Sequence, residues 1–333
     1  MKKVLFIGGT GIISSACSRL ALERGIELWH LNRGRTGAEV GVRACPGVKE
    51  IHADIRNFTE ARAALKGMEF DAVVDWISFV PEHLATCLEL FHGRVGQFVL
   101  ISSASAYETP PSSLPVTEKT PLSNPFWEYS RSKIACEKFL ERAWTRESFP
   151  YTVVRPSHTY DATCIIMEGG YTNIARMKEG KPVVVHGDGT SLWTLTHHKD
   201  FAVGLVGLLC NPKAIAKAIH ITSDEWLSWN QIFEITGRAF GYEPKIVHIP
   251  SDVIAKYDEG MGASLLGDKA HSMIFDNSLV KSLVPDYGCK ITYAEGVKEI
   301  AAWYAQNPNA GKADPRLDAV FDKILADYPK AWR

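Results

Sequence analysis

The sequence contains no run of about 18 apolar residues, so no transmembrane helix is expected. It has no C-x-x-C pair. Its seven cysteines stand singly at positions 17, 45, 87, 136, 164, 210 and 289, an odd count that points to reduced thiols in a cytoplasmic protein. No metal site is expected. Net charge is almost absent: 37 basic against 38 acidic side chains give a formal −1. That balance supplies no broad electrostatic reason to bind nucleic acid or an anionic membrane. There is no internal repeat and no low-complexity tract. Met1-Lys2-Lys3 resembles the start of a signal peptide, but the apolar run after it stops at Gly8, too short for a secretory segment.

What is present is globular material. Hydrophobic residues make up 46% and charged residues 23% of 333, enough for one large domain or two closely joined ones with a sizeable core. The first half alternates short apolar runs with helical patterns. Val4–Ile7, Ile26–Leu31, Val48–His52, Ala72–Val74, Gln97–Ile101 and Tyr151–Val154 read as strands. Gly11–Glu23, 57–66, 82–92 and Phe126–Thr145 read as the helices between them. Apolar runs without alternation suit strands covered on both faces, and their interleaving with helices implies βαβ units in a parallel α/β sheet. Thr109–Pro125 holds five prolines and reads as a long loop at a site rim. Beyond Arg155 the alternation becomes irregular, with helices near 200–210, 229–240 and 294–306. A second, discontinuous lobe is expected there.

Gly8-Gly9-Thr10-Gly11-Ile12-Ile13-Ser14 falls between a strand and a helix. Glycines in that place permit a tight turn and let backbone amides approach a pyrophosphate, which the helix N-terminus then faces with unpaired N–H groups. Serine stands where a third glycine is usual. The second strand ends His30-Leu31-Asn32-Arg33-Gly34-Arg35, with no acid before Glu39. An acid there would bind the ribose 2′-hydroxyl of NAD. Arg33 and Arg35 instead favour the 2′-phosphate of NADP, or are solvated, or stack on adenine. Asp54 is placed to accept from the adenine amino group or to cap the next helix.

Tyr129 and Lys133 lie four residues apart on one helix face. An ammonium near a phenol lowers its pKa, and such a pair can exchange a proton with an alcohol or a carbonyl near neutral pH. Chance supplies this spacing easily, and a solvated helix face is the plain alternative.

Together these features resemble the extended short-chain dehydrogenase/reductase superfamily, in particular its NAD-dependent epimerase/dehydratase family. The likeness rests on the Gly8 turn, Asp54-Ile55, Ile101–Tyr107, Tyr129-x-x-x-Lys133, Arg155–Tyr160, Gly187-Asp188-Gly189 and His197–Asp200. It implies a doubly wound parallel Rossmann-type sheet in residues 1–158 with about 195–223. A smaller substrate lobe would comprise 159–194 and 224–333. It makes Tyr129 the acid/base, Lys133 its partner and ribose ligand, and Ser103 the group orienting the reacting oxygen; a turn serine is the plain reading of Ser103. The cofactor, NADP or NAD, would be held by Gly8, Thr10, Gly11, Ile12, Asn32, Arg33, Arg35, Asp54, Ile55, Trp76, Tyr129, Lys133, Pro156 and His158. A homodimer through the helices near 82–92 and 126–145 is also implied.

The sequence departs from the family at three places. Asp75-Trp76-Ile77-Ser78-Phe79 is bulky where small residues are usual. His158 replaces an asparagine and is either a second proton-transfer group or structural. Trp193 stands where nucleotide-sugar enzymes have a diphosphate-binding arginine, and one indole N–H cannot replace a guanidinium fork. The expected substrate is therefore a small molecule, sugar-like or other, converted by hydride transfer at a hydroxyl or carbonyl carbon. The alternative is a non-catalytic relative with an RNA-binding or regulatory role, as in plastid stem-loop RNA-binding proteins.

Overall fold

The computed structural model describes residues 1–34 and 43–328. Arg35 and Glu39 lie outside the described residues.

Seven parallel strands form the central sheet: β1 Lys3–Ile7, β2 Glu27–Asn32, β3 Lys49–His52, β4 Ala72–Asp75, β5 Phe98–Ile101, β6 Tyr151–Pro156 and, much later in the chain, Lys217–Ile221. Their order is Lys217–Ile221, β6, β5, β4, β1, β2, β3. The strands β1, β4 and β5 are apolar and almost wholly buried because helices cover both faces. On one face Val4, Phe6, Val74, Val99 and Val154 pack with helix Ile12–Glu23 and helix His198–Leu208. On the other, Leu5, Ile7, Val73, Phe98 and Leu100 pack with Leu84 and Leu90 of helix Pro81–Phe91 and Leu140 of helix Glu128–Glu147. This is the expected doubly wound arrangement. Burying each large side chain of this kind stabilises the fold by about 1.5–3 kcal/mol.

The strand order reverses between β1 and β4, and a cleft opens outside their carboxyl ends. Register aligns Ile7 with Asp75, Asp75 with Leu100, and Ile101 with Val154. The segments after four neighbouring strands, at Gly8, Trp76, Ser102 and Ser157, therefore emerge side by side.

The seventh strand was not visible as one in the residue pattern. Lys217 and His220 break its apolar run, yet His220 is fully buried. Its Nδ1 lies 3.0 Å from the Tyr107 hydroxyl and its Nε2 2.8 Å from the Asp276 carbonyl, so hydrogen bonds replace apolarity.

The remaining strands pair in twos: His158–Tyr160 with Leu195–His197, Pro182–His186 with Lys245–Ile249, and Leu192–Trp193 with Leu227–Ser228. A separate apolar cluster holds Tyr160, Trp193, Trp229 and Tyr293. Capping boxes at Ser228 with Gln231 and at Thr292 with Glu295 start two of its helices. Val280, Val284 and Tyr287 instead pack into the sheet's own cluster. Among the described residues no helix is long and apolar enough to cross a membrane.

Candidate active site

The turn after β1 is built as a backbone cradle. Gly8 has φ of +90°, and a Cβ on it would meet Ile77 Cγ2 at 2.6 Å. A Cβ on Gly9 would fall 2.3 Å from the His30 ring. Ser14, in the place of the third glycine, closes the turn. Its hydroxyl accepts from the Gly11 amide at 2.7 Å and donates to the Gly8 carbonyl at 3.2 Å. His30 is buried beneath, with Nε2 at 2.9 Å from the Ser18 hydroxyl. Burial pushes its imidazole down to about 4, so it is neutral at pH 7.

A cavity of about 620 Å³ runs from this cradle past Thr10, Gly11, Asn32, Arg33, Asp54 and Ile55. These sequence-expected residues meet there. Ile12 lines neither this cavity nor the next. Its neighbour Ile13 reaches the second one. Asp54 spends one oxygen on the Arg56 amide at 2.9 Å. The sequence order concealed an acid. Glu50, on β3, accepts from Asn32 Nδ2 at 3.0 Å and lines the same cleft. The premise that no carboxylate stands at this end is thereby corrected, because strand pairing, not chain order, brings Glu50 opposite β2.

The second cavity, about 350 Å³, is lined by Ser103, Tyr129, Lys133, Pro156, His158, Trp76 and Trp193. Phe79, 45% exposed, borders both cavities. Trp76 leaves room despite its bulk because its ring packs against Phe6 at 5.5 Å and Phe201 at 6.5 Å, partly buried beside the core.

Lys133 is buried, and its Nζ donates to the Ser78 carbonyl at 2.7 Å and the Ile101 carbonyl at 2.9 Å. One of its three N–H groups is left. Burial lowers its ammonium to about 8, against the opposing charge of Asp75. Asp75 itself accepts from the Ile77 and Ser78 amides, both at 2.9 Å, which shapes the turn that offers the Ser78 carbonyl.

Tyr129 differs from expectation. Burial raises its hydroxyl above the ordinary value, a hydrogen bond with Ser103 lowers it, and the charge of Asp268 raises it. The balance is upward, and Lys133 does not reverse it. The lysine is held by two carbonyls with its Nζ 5.8 Å from the tyrosine ring centre. Tyr129 is thus a neutral phenol at pH 7.

Ser103 is held by groups the residue pattern did not single out. Its Oγ lies 2.9 Å from Ser105 Oγ, which accepts from Ser130 Oγ at 2.8 Å. Buried Asn124 accepts from the Phe126 and Trp127 amides and donates to the Ser105 carbonyl at 3.0 Å, fixing the entry to the Tyr129 helix. No motif marks these, since each is a common polar residue defined only by its contacts.

At the far end stand His158, Trp193, Asp268 and Lys269. His158 is neutral, lowered to about 4 by burial and by the charge of Lys269. Trp193 is 4% exposed and packs on Trp229 at 5.8 Å, so it is mainly core. Lys269 Nζ is engaged by Ser264 Oγ at 2.6 Å and Glu168 at 3.0 Å. No arginine lines this cavity among the described residues. Elsewhere, His197, His198 and Glu299 bring ligand-type atoms within 4.8 Å of one another. That group lies outside both cavities. His197 caps its helix at the Lys199 amide, and Glu299 pairs with Lys199 at 3.0 Å.

Comparison with known proteins agrees with this fold. The model of the NAD dependent epimerase/dehydratase family matches residues 4–222. 2′-Dehydrokanamycin reductase of Streptomyces kanamyceticus is 28% identical over 319 residues, covering 94% of this chain and 87% of its own. A chloroplast stem-loop binding protein of Arabidopsis thaliana is 24% identical over 265 residues, covering 74% of this chain and 66% of its own. The fold matches that of UDP-glucuronic acid 4-epimerase from Bacillus cereus, solved with UDP-glucuronic acid and NAD. The TM-score is 0.72 at 20% identity, with 92% of this chain and 99% of that one covered.

Proposed function

We infer the function from one premise: the chain belongs to the NAD-dependent epimerase/dehydratase family. On that footing it is an oxidoreductase of the extended short-chain type, reducing a carbonyl carbon of a small hydroxylated substrate with a nicotinamide dinucleotide. The observation that carries this reading is the meeting of Ser103, Tyr129, Lys133 and Pro156 in one cavity that shares Phe79 with the cavity at the Gly8 cradle.

The residues fit such a cofactor. A side chain at Gly8 would collide with Ile77 and one at Gly9 with the His30 ring, so the tight turn requires both glycines, and the start of helix Ile12–Glu23 offers unpaired amides to a pyrophosphate. When bound, the dinucleotide supplies or accepts hydride at its nicotinamide ring. Lys133 would hold its ribose with the remaining N–H, and Pro156 would border the ring. Ser103 orients the substrate oxygen. Tyr129 passes a proton to that oxygen from its hydroxyl. At pH 7 it is a neutral phenol, the acid form that a developing alkoxide needs, which suits the reducing direction. The similar 2′-dehydrokanamycin reductase supports the same direction. Arg33 supports NADP, and Glu50 supports NAD.

The substrate on this reading is not a nucleotide diphosphate sugar. Trp193 lines the cavity but brings no cation, no arginine lines it among the described residues, and Lys269 is neutralised by Glu168. The non-catalytic RNA-binding alternative is disfavoured by the complete Ser103, Tyr129 and Lys133 set and by the net charge of −1. A homodimer through helices Pro81–Phe91 and Glu128–Glu147 completes the proposal, and sedimentation tests it.

Titration of NADPH and NADH fluorescence tests the cofactor reading. Retention of bound dinucleotide through dialysis would point to an epimerase cycle instead, whereas free exchange fits a reductase. If neither cofactor binds, the reading fails.

A further inference from the structure

The substrate end of the cavity contains a carboxylate that accepts no hydrogen bond among the described residues. Leu265–Lys269 forms a π-helical turn, in which the Ala270 amide donates to the Leu265 carbonyl at 2.8 Å. Such wide turns occur at functional sites. This one is pinned from outside. The Gly267 carbonyl accepts from Asn124 Nδ2 at 2.6 Å, and a Cβ on Gly267 would fall 2.7 Å from Trp127 Cβ. The turn is thereby pressed against the segment that starts the Tyr129 helix.

This packing sets Asp268 in the wall of the cavity, close enough to Tyr129 for its charge to raise the phenol's pKa. Its side chain is 15% exposed. Among the described residues no group donates a hydrogen bond to it. The nearest cation, Lys269 Nζ, is 3.8 Å away and already serves Glu168 and Ser264. A buried carboxylate normally collects donors, because losing water without replacement is costly. Here the donors are missing among the described residues, and Asp268 lines the cavity.

The surrounding charges say what would supply them. Glu168 and Lys269 cancel, His158 is neutral, and Lys133 points its Nζ at backbone carbonyls. The substrate end is left with the one negative charge of Asp268. Ser103, His158 and Thr194 add polar atoms, while Trp127, Met273 and Phe275 supply flat apolar wall.

We propose that Asp268 is the anchoring group of a subsite for a hydroxylated ring carrying a protonated amine. This rests on the reductase reading of the same cavity and names its substrate class. The amine donates to the Asp268 carboxylate, the ring lies along the apolar wall, and the reacting oxygen turns toward Ser103 and Tyr129. An anionic ring is repelled.

The test measures binding of D-glucosamine, D-glucose and D-glucose 1-phosphate to the full chain by ligand-observed NMR, without cofactor, for wild type and Asp268→Asn. Glucosamine is expected to bind wild type about tenfold or more tighter than glucose, as a charge-assisted pair contributes. Glucose 1-phosphate should bind weakest. In Asp268→Asn the preference for glucosamine should vanish. In wild type alone, a fall from pH 7 to pH 5 should weaken glucosamine and leave glucose unchanged, which gives a readout should the variant fail to fold. Equal binding of glucosamine and glucose, a preference for the phosphate, or an undiminished preference in Asp268→Asn overturns the proposal. A parallel NADPH titration separates the two readings: absent cofactor binding sinks the reductase, and sugar discrimination is read independently of it.

Discussion

Arg155 grips Glu137 with Nε at 3.1 Å and Nη2 at 2.5 Å, both residues almost fully buried. Glu137 lies one helical turn after Lys133 and also accepts from Ser102 Oγ at 2.5 Å. The pair therefore ties together the strand that ends at Pro156, the segment carrying Ser103 and the helix carrying Tyr129 and Lys133. Removing one partner strands a buried charge. Glu137→Ala or Arg155→Ala alone should lower stability by about 3–5 kcal/mol in urea unfolding. Glu137→Leu with Arg155→Met together should cost much less. Additive single effects would show that the two do not act as a pair.

Gly9 faces His30 with no room between them. Gly9→Ala must displace the ring, and with it the Ser18 contact under the cradle. The expected outcome is at least about a tenfold loss in NADPH affinity, with a lower melting temperature. Gly25→Ala is the control. That glycine has open space around it and a φ of +74°, so it costs stability and leaves cofactor affinity as it was. Equal cofactor affinity in wild type and Gly9→Ala would refute the cradle argument.

The sheet was readable because its strands are covered on both faces and so appear as unbroken apolar runs, as in Val4–Ile7. The glycine turn after β1 was readable because glycines there are dictated by space. The seventh strand was not, since His220 is buried through two hydrogen bonds rather than by being apolar. Glu50 was missed because it joins the cleft through strand register. The upward balance at Tyr129 was missed because burial, which spacing does not reveal, outweighs the hydrogen bond from Ser103.

Tyr129→Phe keeps the ring and removes the transferable proton. With a carbonyl substrate in hand, kcat should fall by about 10²–10⁴-fold while NADPH affinity stays within about twofold. A variant that loses cofactor affinity and keeps its turnover would assign Tyr129 to binding alone.

Lys133 titrates near 8 because burial opposes its charge. Below that pH it is an ammonium with one N–H to offer. As pH rises through about 8 the charge is lost, while Tyr129, shifted upward, stays protonated. NADPH affinity and kcat/KM should therefore both decline above pH 8. A flat profile between pH 7 and 9.5 would mean that the lysine's charge does not act at the site.

Asp268 makes a stability prediction that needs no substrate. Burial raises its carboxyl from an ordinary value of 3.8 to about 6, against the pull of Lys269. An acid whose pKa rises on folding adds stability only while protonated. That contribution is complete below about 3.8 and is lost as pH climbs through 6. At pH 8 the folded protein holds an ionised carboxylate without donors. Asp268→Asn relieves that cost and should stabilise the protein there by on the order of 1–3 kcal/mol. The advantage should shrink toward pH 5, where the wild-type group regains its proton. Thermal melts at pH 5 and pH 8 measure it. A variant less stable than wild type at pH 8 would mean that Asp268 is a satisfied structural acid, whereas a gain in stability matched by loss of glucosamine binding is the signature of a group kept for its ligand.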